Sequence, residues 1–437
     1  MIRKGLLTTA ASGISAAVQM LNGILVARGL GVNGLGHFRT ASDFTILAGT
    51  VAGLGVGTAS IFLINNRRMP ARQVTGALLW LGLTWCPVYC WLLAQIFYMR
   101  QDYFGVLEPF VVWCLAASSA LLIGTNFVRP VLIAQLRARD YASVDFVTAL
   151  GQLSVTLVLL ATHRLSVQTA LLTPLAASLA GMAIVFWHLR SDLTLRVAAF
   201  WATLRDLLVY GVQMATRTIA YVALTTAPAL MLPRMLPQGF EAVGLYRAAT
   251  GVCGLVGLIG MAATPLLYSS LSAQSEDEQR ARQVELTTRL YTLMGGGIAI
   301  LLILFDRLTL KYLYSEAFTS ASPLLRYLAI GTAIQMVANA MQNLFPAVGR
   351  PMLSAAMFAA TLVLNVGLNL LLIPRWQVEG AAVAMMISAA VFLVMSTYMS
   401  VRVCGIRLSQ CFIPRRDDVM RVLRAIPLPA RLRGRAT

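Results

Sequence analysis

The sequence predicts an all-α membrane protein: twelve transmembrane helices in two six-helix lobes, related by a pseudo-two-fold axis along the membrane normal. Three observations predict it. Of 437 residues, 58% are hydrophobic and 12% charged, whereas soluble domains carry roughly 25% charge. At about 20 apolar residues per crossing, this excludes a soluble protein and supplies roughly a dozen spans. A hydropathy window of about 19 residues then finds twelve apolar segments, near 6–27, 40–64, 74–97, 109–135, 141–162, 169–189, 207–232, 245–270, 288–305, 323–347, 352–373 and 379–401. Finally, the chain repeats itself. LGHFRTA at 35–41 matches VGLYRAA at 243–249, which pairs Gly36 with Gly244, Phe38 with Tyr246 and Arg39 with Arg247 at an offset of 208. RLSVQTA at 164–170 faces RWQVEGA at 375–381 at an offset of 211, as do Arg139 and Ser143 with Arg350 and Ser354. The offset covers an even number of spans, so both halves point the same way and enclose a cleft.

Taken in order, the first span has the basic flank of a signal peptide, Arg3 and Lys4. Its apolar run continues too far for one and carries Thr8, Thr9, Ser12, Ser15, Gln19 and Asn22. It reads as a retained helix with a polar face. Residues 1–189 form the N-terminal lobe. The connection 190–206 sets Leu193, Leu195, Phe200, Trp201 and Leu204 among arginines, as expected of a cytoplasmic linker lying at the membrane interface. Residues 207–403 form the C-terminal lobe, in which Ser275 and Glu278 have capping-box spacing. The segment 404–437 is a basic tail without a span, suited to solvent or anionic lipid.

The formal charge is +18, and 33 of the 35 basic residues are arginine. Of the 35, 23 fall on the two ends and the even-numbered connections and eight on the opposite side, which places both termini in the cytoplasm. The charge therefore follows membrane topology and implies no nucleic-acid partner. The six cysteines form no CxxC, and His37, His163 and His188 are far apart, so no metal site or cofactor is expected. P-loop, GxSxG and HExxH motifs are missing, and the longest outer connection, 306–322, is too short for a catalytic domain. An enzyme is not expected.

Charges within spans carry the functional argument, because each costs several kcal/mol unless it faces a cavity or a partner. Arg129 precedes Pro130, and Arg217 lies about ten residues into the seventh span, roughly 15 Å deep. With Arg39 and its repeat mate Arg247, these are the candidate substrate-binding residues. Asp43 and Asp145 are candidates either for ion coupling or for ion pairs, Asp43 with Arg39 at i+4 and Asp145 with Arg129. Tyr221, four residues after Arg217, offers a cation–π contact. Gln19, Asn22, Asn126, Gln213 and Asn339 are candidate polar cavity residues. Interhelical hydrogen bonding is the other reading, shared with Gln335, Gln342, Asn365 and Asn369.

Several stretches resemble the polysaccharide flippases, O-antigen flippases among them, of the multidrug/oligosaccharidyl-lipid/polysaccharide exporter superfamily. They are ARGLGVNGLGHF (27–38), LGVGTASIFLI (54–64), EAVGLYRAA (241–249), YLYSEAFTSASPLLRYLAI (312–330) and LNVGLNLLLIPRWQVEGAA (364–382). The resemblance implies alternating access of an undecaprenyl-diphosphate-linked oligosaccharide across the bacterial inner membrane, for lipopolysaccharide or exopolysaccharide synthesis. The partners it implies are that substrate, membrane lipids and the polysaccharide polymerase and export machinery. Family members often carry an acid late in the seventh span, where this chain has Thr225, Thr226, Ala227 and Pro228. The alternatives are a drug/cation antiporter of the same fold, which should favour acidic cavity residues, and a membrane glycan polymerase or ligase, which would need a large outer loop. Arginine suits a diphosphate through its planar, bidentate donors. An inside-negative potential favours outward movement of about two negative charges by roughly 4 to 5 kcal/mol per 100 mV.

Overall fold

A computed structural model describes residues 2–65, 67, 69–194, 200–273, 277–348, 350–406 and 411. Leu195 of the linker, Ser275 of the expected capping box and nearly all of the basic tail lie outside the described residues. In chain order the helices are α1 (Ile2–Ala52), α2 (Val56–Asn65), α3 (Ala71–Met99), the short α4 (Gln101–Phe104), α5 (Pro109–Val128), α6 (Pro130–Ala134), α7 (Ala138–Ala161), the short α8 (Val167–Ala170) and α9 (Thr173–Leu189). After the linker come α10 (Phe200–Met235), α11 (Gly239–Ala273), α12 (Asp277–Leu304), α13 (Asp306–Leu313), a 3₁₀ turn (Glu316–Ala321), α14 (Ser322–Gln342), the short α15 (Leu344–Ala347) and α16 (Pro351–Cys404).

Two apolar stretches, Gly13–Asn65 and Pro351–Val403, run 53 residues each. At 1.5 Å per residue either is about 80 Å long, more than twice a hydrocarbon core of about 30 Å. Each must double back, and each does so at a point. The α1 helix turns at Gly31 (φ 68, ψ −175), a conformation that glycine adopts without strain from a side chain. The α16 helix turns at Trp376 and Gln377, the latter at φ 50. Counted this way, with α5 and α6 as one crossing, the described residues make the twelve spans expected from the sequence.

Some boundaries differ from expectation. The connection expected over 28–39 is helical apart from Gly31, so Arg28 and Arg39 lie on helices instead of in a loop. The second span is one helix in the sequence reading but breaks at 53–55, where Leu54 and Gly55 take φ of 48 and 64. The linker beyond 199 is already helix, so Phe200, Trp201 and Leu204 open α10.

In the N-terminal lobe α7 packs on α1 and α9, and α5 on α3 and α9. In the C-terminal lobe α14 packs on α11, α12 and α16, and α10 on α16. Contacts of α1 with α11 and of α10 with α1 and α2 join the lobes. The C-terminal lobe is held internally by hydrogen bonds. Gln342 donates to Ser396 (2.7 Å) and accepts from Ser354 (2.7 Å), while Asn365 donates to Ser388 (3.1 Å). For Gln342 and Asn365 the interhelical reading therefore holds, as hydrocarbon offers no competing partner.

The connections divide into two ends. One end carries the linker, with 65–71, 134–138 and 343–351; the other carries the kinks at Gly31 and Trp376, with 99–109 and 304–322. At the kink end Asp306 (side chain 7% exposed) accepts from Ser322 (2.6 Å), Arg326 Nε (2.5 Å) and the Arg307 amide (2.5 Å). Burial raises the Asp306 pKa, but these donors outweigh it and hold the carboxyl below its ordinary range. Its stabilising contribution should be complete above about pH 4 and decline as acid protonates it. Asp306→Asn should lower the thermal unfolding midpoint in detergent by a few degrees at pH 7, with a smaller difference at pH 3. Equal differences at both pH values would refute this.

Candidate functional site

The site is built where the repeat brings the lobes together at the kink end. A Cβ on Gly36 would fall inside the carbonyl oxygen of Phe240, and one on Gly244 inside the carbonyl oxygen of Val32. The repeat offset carries Gly36 to Gly244 and Val32 to Phe240, so these are one contact made twice, reciprocally. Only glycine lets the backbones approach this closely. The His37 and Phe240 rings stack at 3.5 Å beside it. Arg28 donates to the carbonyls of Leu313 (2.8 Å) and Tyr312, Tyr103 donates to the Leu230 carbonyl, and Arg234 lies 3.6 Å from Asp102. The kink end is thus tied across the seam by apolar, hydrogen-bonded and ionic contacts.

One turn deeper sits a charge cluster. Arg39 lies eight residues past Gly31 and Asp43 a further turn, roughly 12 and 18 Å from the kink. Arg247 Nε of the other lobe donates to Asp43 Oδ2 at 2.6 Å, with side chains 14% and 5% exposed. Asp43 therefore bonds its partner 204 residues away, not Arg39 at i−4. The charged groups acting on Arg39 are Asp43 and Arg247, with Tyr314 close by. Arg39 Nε and one Arg247 Nη are buried without a hydrogen-bond acceptor. Gly23 on the first span leaves room for the Arg39 guanidinium, and Gly251 on α11 for the Tyr314 hydroxyl.

The other sequence candidates are placed elsewhere. Arg129 is paired with Asp145 and lies 3.8 Å over the Tyr141 ring. Arg217 stands 5.7 Å over the Phe358 ring of α16, against which Tyr221 packs edge-on. Asn22 is buried, whereas Gln19, Asn126 and Gln213 are exposed. Asn339 accepts from Gln335 (3.2 Å) and its carbonyl accepts from Asn343 (3.0 Å). Sequence reasoning missed Tyr314, Arg28 and Tyr103, since nothing in their local pattern signals a cross-lobe contact. An apolar groove of about 740 Å³ between α3, α5 and α9, bordered by Leu83, Cys86, Pro87, Leu121, Met182 and Phe186, lies apart from these charges.

At the linker end a second close approach joins α2 and α10. A Cβ on Gly211 would meet the Leu54 carbonyl oxygen, and one on Gly55 the Gly211 carbonyl oxygen. The break at 53–55 thus has a packing reason. Arg67 reinforces the join by pairing with Asp206 (3.1 Å) and donating to Tyr210 (2.6 Å), and Gln73 donates to Thr203 (2.7 Å).

The fold is shared with solved transporters. The chain is similar to an inward-facing multidrug resistance MATE family transporter of the MOP superfamily, at 13% identity and a TM-score of 0.73, covering 92% of this chain and 98% of that one. It is also similar to the lipid II flippase MurJ in an inward closed conformation, at 12% identity and a TM-score of 0.67, covering 92% and 88%. A third likeness is an outward-facing multidrug resistance MATE family transporter of the MOP superfamily, at 16% identity and a TM-score of 0.67, covering 92% and 95%. No curated protein sequence matches the chain. Residues 1–271 match the model of the family described as polysaccharide biosynthesis protein. More than half of the sequence carries that match, so the chain belongs to the polysaccharide biosynthesis protein family, and nearly all of it shares the two-lobed, multi-helix fold of these solved membrane proteins.

Proposed function

We propose that this transporter flips an undecaprenyl-diphosphate-linked oligosaccharide from the cytoplasmic to the periplasmic leaflet of a bacterial inner membrane by alternating access. The observation that carries the reading is the pair of repeat-related arginines, Arg39 and Arg247, partly buried at the lobe seam and sharing one buried carboxylate, Asp43. Guanidinium forks suit a diphosphate. The small cations of a drug antiporter would call for an acidic site. The family's link to polysaccharide synthesis supports a glycan cargo. The basic bias supports a cytoplasmic linker end and cytoplasmic termini. Arg217 contributes a further cationic contact along the path, and Gln19, Asn126 and Gln213 offer exposed polar groups to the sugar. Membrane lipids and the polymerase and export machinery are the remaining proposed partners.

With no acid between Thr225 and Pro228, the membrane potential drives the charged cargo outward. In proteoliposomes with equal pH and sodium on both sides, an imposed potential, negative on the donor side, should speed flipping of a fluorescent diphosphate-linked glycan. Arg217→Lys should retain partial activity and Arg217→Ala should slow flipping about ten-fold, the equivalent of one contact of about 1.4 kcal/mol. A rate that ignores the potential and follows only a proton or sodium gradient refutes this drive and makes Asp43 or Asp145 the ion site.

A further inference from the structure

We propose that Asp43 is a resident stand-in for the cargo's phosphate: it fills Arg247 while the kink end is closed, and the arriving diphosphate displaces it, which releases the lobes. The inference rests on the reading of Arg39 and Arg247 as cargo-binding groups and adds the step that links binding to opening.

The charge count comes first. Two guanidiniums and one carboxylate make up the cluster among the described charged groups acting on Arg39, which leaves one positive charge without a counter-ion well inside the seam. Buried polar groups normally find hydrogen-bond partners, yet Arg39 Nε and an Arg247 Nη have none. Both orphaned donors belong to the same cluster, on opposite lobes. An anion with several acceptor oxygens satisfies both at once, and a diphosphate can reach two guanidiniums where a single carboxylate reaches one.

Geometry gives the exchange its consequence. The Asp43 bond to Arg247 at 2.6 Å crosses the lobes and lies directly beneath the reciprocal glycine contacts of Gly36 and Gly244. While it stands, it holds the two lobes together at depth. A diphosphate that takes Arg247 leaves Asp43 without its cross-lobe partner, and the buried carboxylate is then better accommodated with the seam open to water. Cargo without a diphosphate cannot make this exchange, so Asp43 also sets specificity. An internal carboxylate competing for the cargo's own binding group is a form of discrimination against weak anions.

The test uses cysteines placed at His37 and Phe240, in the full chain with its six native cysteines replaced, so that disulfide yield reports closure of the kink end. Inorganic pyrophosphate should lower the yield in a dose-dependent way, and sulfate at equal ionic strength should lower it less. Asp43→Asn should lower the yield without any anion and bind pyrophosphate about ten-fold tighter by calorimetry. The exchanged pair Asp43→Arg with Arg247→Asp should restore the yield, and it serves as the test if Asp43→Asn does not fold. A yield indifferent to pyrophosphate, or normal closure in Asp43→Asn, or unchanged affinity in that variant, overturns the exchange. If pyrophosphate opens the seam but no lipid-linked glycan is flipped, the exchange stands and the flippase reading falls. If glycans are flipped while the seam ignores pyrophosphate, the exchange falls alone.

Discussion

Gly36→Ala should abolish most transport while leaving the protein inserted and abundant. The added methyl has to occupy the place of the Phe240 carbonyl oxygen, and a backbone carbonyl cannot swing aside as a side chain does. Overpacking typically costs about 1–3 kcal/mol and occasionally more. With an immovable obstacle the upper part of that range applies, which lowers the closed population by on the order of 100-fold. Flipping should slow accordingly, because a cycle that cannot close its kink end cannot reset. The repeat makes a second claim: Gly244→Ala should have the same effect, since its methyl meets the Val32 carbonyl oxygen in the equivalent way. Gly254→Ala, where nothing lies within 4 Å of the new methyl, should leave transport unchanged and favour the helix by roughly 1 kcal/mol. Wild-type flipping by Gly36→Ala would show that the closed seam is not part of the cycle.

Asp145→Ala should cut the amount of folded protein in the membrane severely. Arg129 is 14% exposed and held by Asp145 and the face of Tyr141. Removing one partner of a buried ion pair strands the other charge, at a cost of about 3–5 kcal/mol. The low end applies here because Asp145 is 30% exposed. Removing both charges avoids that penalty, so Arg129→Met with Asp145→Leu should recover accumulation, measured by fluorescence-detected size exclusion. The opposite pattern decides for a role on cargo: if Asp145→Ala accumulates normally and the double variant accumulates but does not flip glycan, Arg129 acts on the substrate.

Much of the architecture is legible because a bilayer imposes it. Length, apolar runs and the bias of arginines between ends determine spans almost without reference to packing, and a retained offset reveals two parallel halves. The glycines of LGHFRTA and VGLYRAA stand out as repeat partners before their purpose is visible. Their purpose needs two surfaces at once, and a linear sequence shows only one. The same limit explains Asp43. Local spacing offers Arg39 as its partner, since i and i+4 share a helix face, but the seam brings Arg247 closer, and no rule of local spacing can choose between them. Arg129 and Asp145 are the converse case, as consecutive spans confine the pair to one neighbourhood. The turn at Gly31 is legible only in part. A glycine-rich break over 28–39 marks its neighbourhood, but helix continues on both sides of a single positive φ at Gly31, and composition alone offers Gly29, Gly34 and Gly36 equally.

The reciprocal contacts of Gly36 and Gly244 also constrain how the molecule can move. Two rigid bodies touching at two points keep one rotation that disturbs neither, namely rotation about the line through those points. Because the points are exchanged by an axis along the membrane normal, that line lies in the plane of the membrane. While the kink end is closed, the lobes can therefore rock about an in-plane fulcrum there, swinging their far ends apart or together, with twisting and sliding blocked until the seam itself parts. The repeat is thus a mechanical bearing as well as a record of symmetry, and its position selects which end of the pathway travels furthest for a given angle.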